Sequence, residues 1–248
     1  MKRFKAFTLV ELLVVISIIA LLLSILMPSL NKARKAAQKI VCLSNTRTAS
    51  QATMLYASDN KNKFMNHRGT QWVDWHSYLV PYLSKQQYKT NAELYYAPTT
   101  QKDREKYFKP WWDLVCPGTP KSRMPRNNID VPMIYGIHMG GPFPLGNVVP
   151  LYTKGYGIYD WSSGKSRSTL EVTSSGLVFA EILNTDYIWA TIVTCDKIPG
   201  IEPRLNMDLR DRHPGGNAAA FADGHVESIR EKAVRDPQSS FWIVTKRK

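Results

Sequence analysis

Lys2-Arg3-Phe4-Lys5-Ala6-Phe7-Thr8-Leu9-Val10-Glu11-Leu12-Leu13, continued by an almost unbroken apolar run to Met27, decides the architecture of this 248-residue chain. Three cations lead into a segment whose only polar residues between Leu12 and Met27 are Ser17 and Ser24. Counted from Phe7, the run reaches the ~20 residues with which a helix crosses a hydrocarbon core. A secretory signal peptide would show a shorter apolar core followed by a small-residue cleavage site, whereas Pro28, Ser29 and Leu30 follow here. Glu11 is the anomaly. A carboxylate costs on the order of 3 kcal/mol near the centre of a membrane segment and less near its end, so it implies a role beyond anchoring. Lys2, Arg3 and Lys5 favour a cytoplasmic N-terminus, but Lys32, Arg34, Lys35 and Lys39 crowd the other side, and charge alone does not set the orientation.

The apolar run does not stop at the membrane boundary. Leu30, Ala33, Ala37, Ile40 and Val41 recur at helical spacing among basic residues, which predicts that the helix continues and presents one apolar face to a globular head. It is expected to pass through Ala52 and Leu55 and to end near Asp59-Asn60, where turn chemistry takes over. Pro28 lies at the junction, where its missing N–H and ring clash predict a kink or local melting.

This segment resembles the type IV prepilin family, which includes the pseudopilins of type II secretion systems. The resemblance covers Lys5 to roughly Met27 and implies a leader at residues 1–6, cut by a membrane peptidase between Ala6 and Phe7. Phe7 would then be N-methylated, and Glu11 would be the family's assembly glutamate. Gly is the usual residue before the cut, so Ala6 is a departure, although its small side chain suits a protease pocket. A proline such as Pro28 is common in pilin helices. The implied partners are the prepilin peptidase/methylase, other pilin-like subunits and the assembly machinery. The implied location is a bacterial inner membrane crossed once by about residues 7–27, with a head that is periplasmic or part of an extracytoplasmic filament.

Residues 61–248 have the size and texture of one globular α+β head, with Gly and Pro scattered singly between short segments. Hydrophobic residues make up 44% of the chain, which excludes a disordered head. Trp72 to Leu83 predicts a short helix or turn, and residues 85–128 are expected to be mostly loop. Strands are expected over Met133–Ile137, Gly176–Ile182, Tyr187–Thr194 and Phe241–Val244. The best local signal is Asn217 to Ile229, a hairpin around Asp223-Gly224 whose glycine supplies positive φ. The predicted fold is therefore α+β: a helix over residues 7–60 packed on a small, mainly antiparallel sheet with long loops.

His213, followed after nine residues by Asp223-Gly224, resembles the H-x9-D-G domain of prepilin-like proteins, carried here by residues 212–217 and 221–226. That resemblance implies no settled chemistry. His213 and Asp223 meeting across the hairpin, with His225 close, would suit a cation or proton transfer. Alternatively Asp223-Gly224 makes the turn and His213 bonds the hairpin backbone, and this structural role is the expectation. Proteins with that domain often carry a cysteine late in the long helix and a later Cys-Pro, which implies a Cys42–Cys116 disulfide; three buried thiols, including Cys195, are the alternative.

No C-x-x-C pair or His-Glu-x-x-His motif occurs, so no linear motif supports a metal site, and no cofactor is expected. Ser163-Gly164-Lys165-Ser166 ends like a phosphate loop, but Tyr159 stands where the first glycine is required. Ser174 and Ser175 lack a nucleophile elbow. Trp72/Trp75 and Trp111-Trp112 suit a core better than a stacking platform, and Asp59-Asn60-Lys61-Asn62 suits a turn better than a Ca²⁺ loop.

The formal charge is +13, and loss of the leader lowers it by three. Such a charge attracts acidic polysaccharide or nucleic acid, or simply serves solubility. The expected function is that of a non-enzymatic pilus or pseudopilus subunit, with an anchored binding module for acidic polysaccharide or DNA as the rival and an anchored hydrolase behind it.

Overall fold

A computed structural model describes residues 8–65, 75–84, 109–111, 113–119, 135–137, 159–160, 165–181, 212–230 and 232–233. The Ala6–Phe7 junction, Trp72, Trp112, Cys195 and the strands expected at 187–194 and 241–244 lie outside these residues, as does the side chain of Trp75.

One helix dominates. Helix α1 spans Leu9–Asp59, 51 residues or about 77 Å at 1.5 Å per residue. It begins where Thr8 serves as N-cap and ends at Asn60, followed by Lys61 and Asn62 in the left-handed region (φ 58° and 57°). The Asn62 N–H donates to the Ala57 carbonyl (2.8 Å), and the Asn60 side-chain amide donates to Tyr56 O (2.8 Å), so Asp59 to Asn62 form a helix-stopping turn. α-Helix continues on both sides of Pro28, and the local melting expected there does not occur. A helix whose other N–H groups remain paired tolerates the loss of one.

The docking face differs from the expectation. Leu30 and Ile40 are largely exposed and Val41 is only partly covered, whereas the buried stripe is Cys42, Thr46, Ala49, Ser50, Ala52, Thr53 and Ala57. It begins a full turn and more beyond most of the predicted apolar set. These side chains are small because the helix lies close against the sheet, where Ala218, Ala219 and Ala220 are buried as well. Large apolar residues would hold the two backbones apart. Thr46 and Thr53 are tolerated because each hydroxyl donates to the carbonyl four residues back, Cys42 O at 2.8 Å and Ala49 O at 3.0 Å.

Helix α2, Trp75–Leu83, packs on the end of α1. Tyr56 meets Tyr78 and Tyr82 edge-on, with ring centroids 5.7 and 6.0 Å apart, and the Tyr82 hydroxyl donates to Asp59 (3.0 Å). Among the described residues six strands follow: β1 Tyr135–Ile137, β2 Tyr159–Asp160, β3 Lys165–Ser166, β4 Leu177–Glu181, β5 Asn217–Phe221 and β6 Val226–Ile229. The main sheet has the order β1-β4-β5-β6 and is antiparallel throughout, while β2 and β3 form a separate two-stranded ribbon. That ribbon was not anticipated, since its strands are only two residues each. The central strands β4 and β5 are buried along their length; β6, at the edge, is partly exposed. The α+β, pilin-like arrangement of a long helix on a small antiparallel sheet is thus as the sequence predicts. Trp111 is fully buried in the core with Phe64, Met65, Leu79 and Phe179, so it packs rather than offering a binding platform.

Candidate functional site

Among the described residues two regions are unusual, at opposite halves of α1. The first is the N-terminal half. Every large apolar side chain from Leu9 to Met27 is 45–79% exposed, a surface that water does not favour and that a bilayer or neighbouring helices would cover. The polar side chains between Leu9 and Ser29 are satisfied internally. Ser17, Ser24 and Ser29 donate to the carbonyls of Val14 (2.8 Å), Leu21 (2.7 Å) and Ile25 (3.3 Å). Such back-bonding removes the cost of hydroxyls in hydrocarbon.

Glu11 is satisfied too. Its Oε2 accepts from the Thr8 N–H (2.9 Å) and the Thr8 hydroxyl (2.7 Å), while the Glu11 N–H donates to Thr8 Oγ1 (3.3 Å). This reciprocal capping box uses two otherwise orphaned N–H groups at the helix start. Sequence reasoning missed Thr8, although Thr-x-x-Glu before an apolar run is the signature of such a box.

The second region is a buried polar knot where α1 meets the head. Cys42 of α1 is bonded to Cys116, with Cα atoms 5.3 Å apart. His213, 4% exposed, places Nε2 3.3 Å from Cys116 Sγ and 3.5 Å from Glu181 Oε2. Glu181, at the end of β4 and 2% exposed, binds Arg212 Nη1 through Oε1 at 2.6 Å. The Arg212 N–H in turn donates to Asn217 Oδ1 (2.8 Å), and the Ala218 N–H approaches Glu181 Oε2 (3.5 Å). Burial penalises the Glu181 carboxylate, but the His213 hydrogen bond and the Arg212 charge outweigh that penalty and hold its pKa below the ordinary value. The surrounding loop is tied down by Lys39 Nζ donating to Pro214 O (3.0 Å) and by Ser228 donating to Gly215 O (2.9 Å). Cys42, Cys116, Glu181 and His213 offer ligand atoms all within 4.8 Å of one another, the one cysteine-containing group of metal-ligating side chains among the described residues.

His213 and Asp223 are not brought together. They lie beyond opposite ends of β5, whose five residues span about 14 Å at strand rise. His213 turns its ring to the disulfide and Glu181, not to the hairpin backbone, because β5 carries the loop before it under α1. Asp223 stays at the turn, where Oδ1 accepts from the His225 N–H (3.0 Å) and also meets the His225 ring. Burial works against the Asp223 carboxylate, yet the His225 backbone and side-chain hydrogen bonds hold its pKa low. Gly224 takes φ 89°, as the turn requires, and the Ser50 hydroxyl donates to its carbonyl (3.1 Å), locking the turn to α1. Glu181 was within reach of sequence reasoning as the lone charge in an otherwise apolar strand.

The geometry defines a class: a protein with an exposed apolar helical half joined to a small α+β head. Residues 1–27 match the prokaryotic N-terminal methylation motif. The chain is also 41% identical over 66 residues to the type IV wide pilus major component PilA4 of Thermus thermophilus, a stretch covering 27% of this chain and 50% of that protein. The chain thus spans about half the length of that relative. No solved structure matches significantly. The prepilin methylation motif, the similarity to a type IV pilin and the apolar helix fit a membrane-anchored pilin.

Proposed function

We propose that this protein is a subunit, or a minor component, of a type IV pilus-like filament or a type II secretion pseudopilus. The observation that carries the proposal is the division of α1. Its first half exposes a spanning-length apolar surface with satisfied polar groups, and its second half is sewn into the head through Cys42 and the small-residue stripe. In this reading the prepilin peptidase cuts between Ala6 and Phe7, with the leader in the cytoplasm and the head on the far side of the inner membrane. Phe7 is N-methylated. The helix then leaves the bilayer laterally and joins other pilin-like helices in the filament core, where Glu11 neutralises the methylated amine of Phe7 on a neighbouring subunit. A buried pair of that kind sets register more than it adds stability.

Mass spectrometry of the mature N-terminus tests the first step: a chain beginning with N-methylated Phe7 is expected. An intact Met1 terminus from cells with an active prepilin peptidase would overturn it. A correctly processed chain that never enters filaments and instead binds acidic polysaccharide or DNA in a salt-sensitive way would replace assembly with an anchored binding module.

A further inference from the structure

We propose that the dithiol form of Cys42 and Cys116, together with His213 and Glu181, is a closed tetrahedral site for one divalent ion of the zinc class. The disulfide and the metal would be alternative occupants of one pocket.

Convergence, spacing, burial, charge and outer hydrogen bonds carry this. The ligands come from four separate elements, α1, the 113–119 segment, the end of β4 and the loop before β5, and yet their donor atoms converge within 4.8 Å. Two of the donor pairs, both made by His213, already stand near zinc spacing: at Zn–S of ~2.3 Å and Zn–N or Zn–O of ~2.0–2.1 Å, tetrahedral donors lie about 3.3–3.8 Å apart, and opening the disulfide lets the two sulfurs separate to that range. His213 Nε2 is 3.3 Å from Cys116 Sγ and 3.5 Å from Glu181 Oε2. A disulfide alone has no need of an imidazole and a carboxylate converging on it, and it is a poor hydrogen-bond partner for either.

All four side chains are buried, as a structural site with four protein ligands requires. The charges close as well. A divalent cation, two thiolates and the Glu181 carboxylate leave one negative charge, and Arg212 on Glu181 Oε1 supplies the matching positive one. That same ion pair leaves Oε2 turned toward His213, and the Gly118 N–H points at Cys116 Sγ (3.4 Å); both are the outer partners that orient metal ligands.

The exchange balances. A dithiol reductant gives two electrons and two protons to the Cys42–Cys116 bond and is itself oxidised to a disulfide. The two thiols so formed lose their protons to solvent as the metal binds. Metal bound before oxidation reaches the same state with no redox step.

The test uses the full chain in detergent, reduced anaerobically with a non-coordinating phosphine and titrated with Co²⁺. One equivalent should give thiolate-to-cobalt charge transfer and intense tetrahedral d–d bands, both abolished by one equivalent of Zn²⁺ and absent from the oxidised protein. In His213→Ala the apparent affinity should fall by at least about tenfold. Zn²⁺ should also slow alkylation of both thiols in reduced wild-type protein, a readout that does not depend on a variant folding. Absence of thiolate bands in reduced wild type, or bands of unchanged affinity in His213→Ala, would overturn the four-ligand site. Reduced protein that loses its circular dichroism and regains it only with metal would support it.

Discussion

Thr8 and Glu11 hold each other at the start of α1, with Glu11 Oε2 accepting both the N–H and the hydroxyl of Thr8 while Thr8 Oγ1 accepts the Glu11 N–H. The carboxylate that is anomalous in an apolar run therefore has a local task, and it keeps acceptor capacity for a second partner. In the proposed filament these tasks separate experimentally. Glu11→Gln keeps an oxygen that can accept from Thr8 but removes the charge, whereas Glu11→Ala removes both. Both variants should insert into the membrane as well as wild type or better. Both should lose cross-linking between engineered cysteines on neighbouring helices in a background without native thiols. Equal cross-linking in wild type and Glu11→Gln would mean that the charge does not guide assembly.

Glu181→Gln should destabilise the head strongly. It leaves Arg212 and His213 in a buried pocket without their anion, and breaking one side of such a pair costs about 3–5 kcal/mol. A fall in melting temperature on the order of 10 °C is expected for the oxidised protein. A double variant, Glu181→Leu with Arg212→Met, should lose less than the single one, because both charges leave together. Calorimetry of the three proteins checks this; a melting temperature unchanged in Glu181→Gln would contradict the role given to the pair.

Two glycines should rank in a definite order. A Cβ at Gly216 would lie 2.1 Å from the Ile229 carbonyl oxygen, with φ at 112°, whereas a Cβ at Gly224 would meet only Met54 Cγ at 3.4 Å, with φ at 89°. Gly216→Ala should cost more than about 3 kcal/mol, and Gly224→Ala about 1–2 kcal/mol. Gly224→Val should be worse than Gly224→Ala, because a β-branched residue resists positive φ, and Asp223→Ala should be milder than Gly224→Val. Thermal melts of the four variants give the order directly.

The tyrosine cluster predicts an alkaline limit. Burial, and then the neighbouring Tyr78 and Tyr82, push Tyr56 up to about 12; burial and the hydrogen bond to Asp59 push Tyr82 up to about 12. A folded-state pKa above the unfolded value of ~10 gives stability that is complete below pH ~10 and is lost as pH rises toward 12. Melting temperature should therefore fall over that window, and less steeply in a Tyr56→Phe/Tyr82→Phe variant. Identical slopes would remove the two phenols from the account.

Much of the fold was legible because its signals are local. An apolar run of spanning length, helical spacing beyond it and the Asp59–Asn62 stop define α1 within a residue or two, since each depends on neighbours three or four positions away. Asp223-Gly224 likewise marks the hairpin, and Gly176–Ile182 contains β4. The docking face was not legible in the same way. Cys42, Thr46, Ala49 and Thr53 are too small and too polar to stand out by hydrophobicity, and what selects them is the close approach of strands β5 and β6, more than 160 residues later in the chain.

The candidate sites divide along the same line. Sequence by itself determined the apolar helix, the Glu11 anomaly and the turn at Gly224, because membrane partition, capping and positive φ act on residues adjacent in the chain. Only the tertiary structure decided that His213 leaves Asp223 and joins Cys42, Cys116, Glu181 and Arg212 in one buried cluster. Those five residues come from four distant segments, and a buried charge is settled by whichever partners the fold carries to it, since in a low-dielectric interior the nearest opposite charge outweighs any preference along the chain.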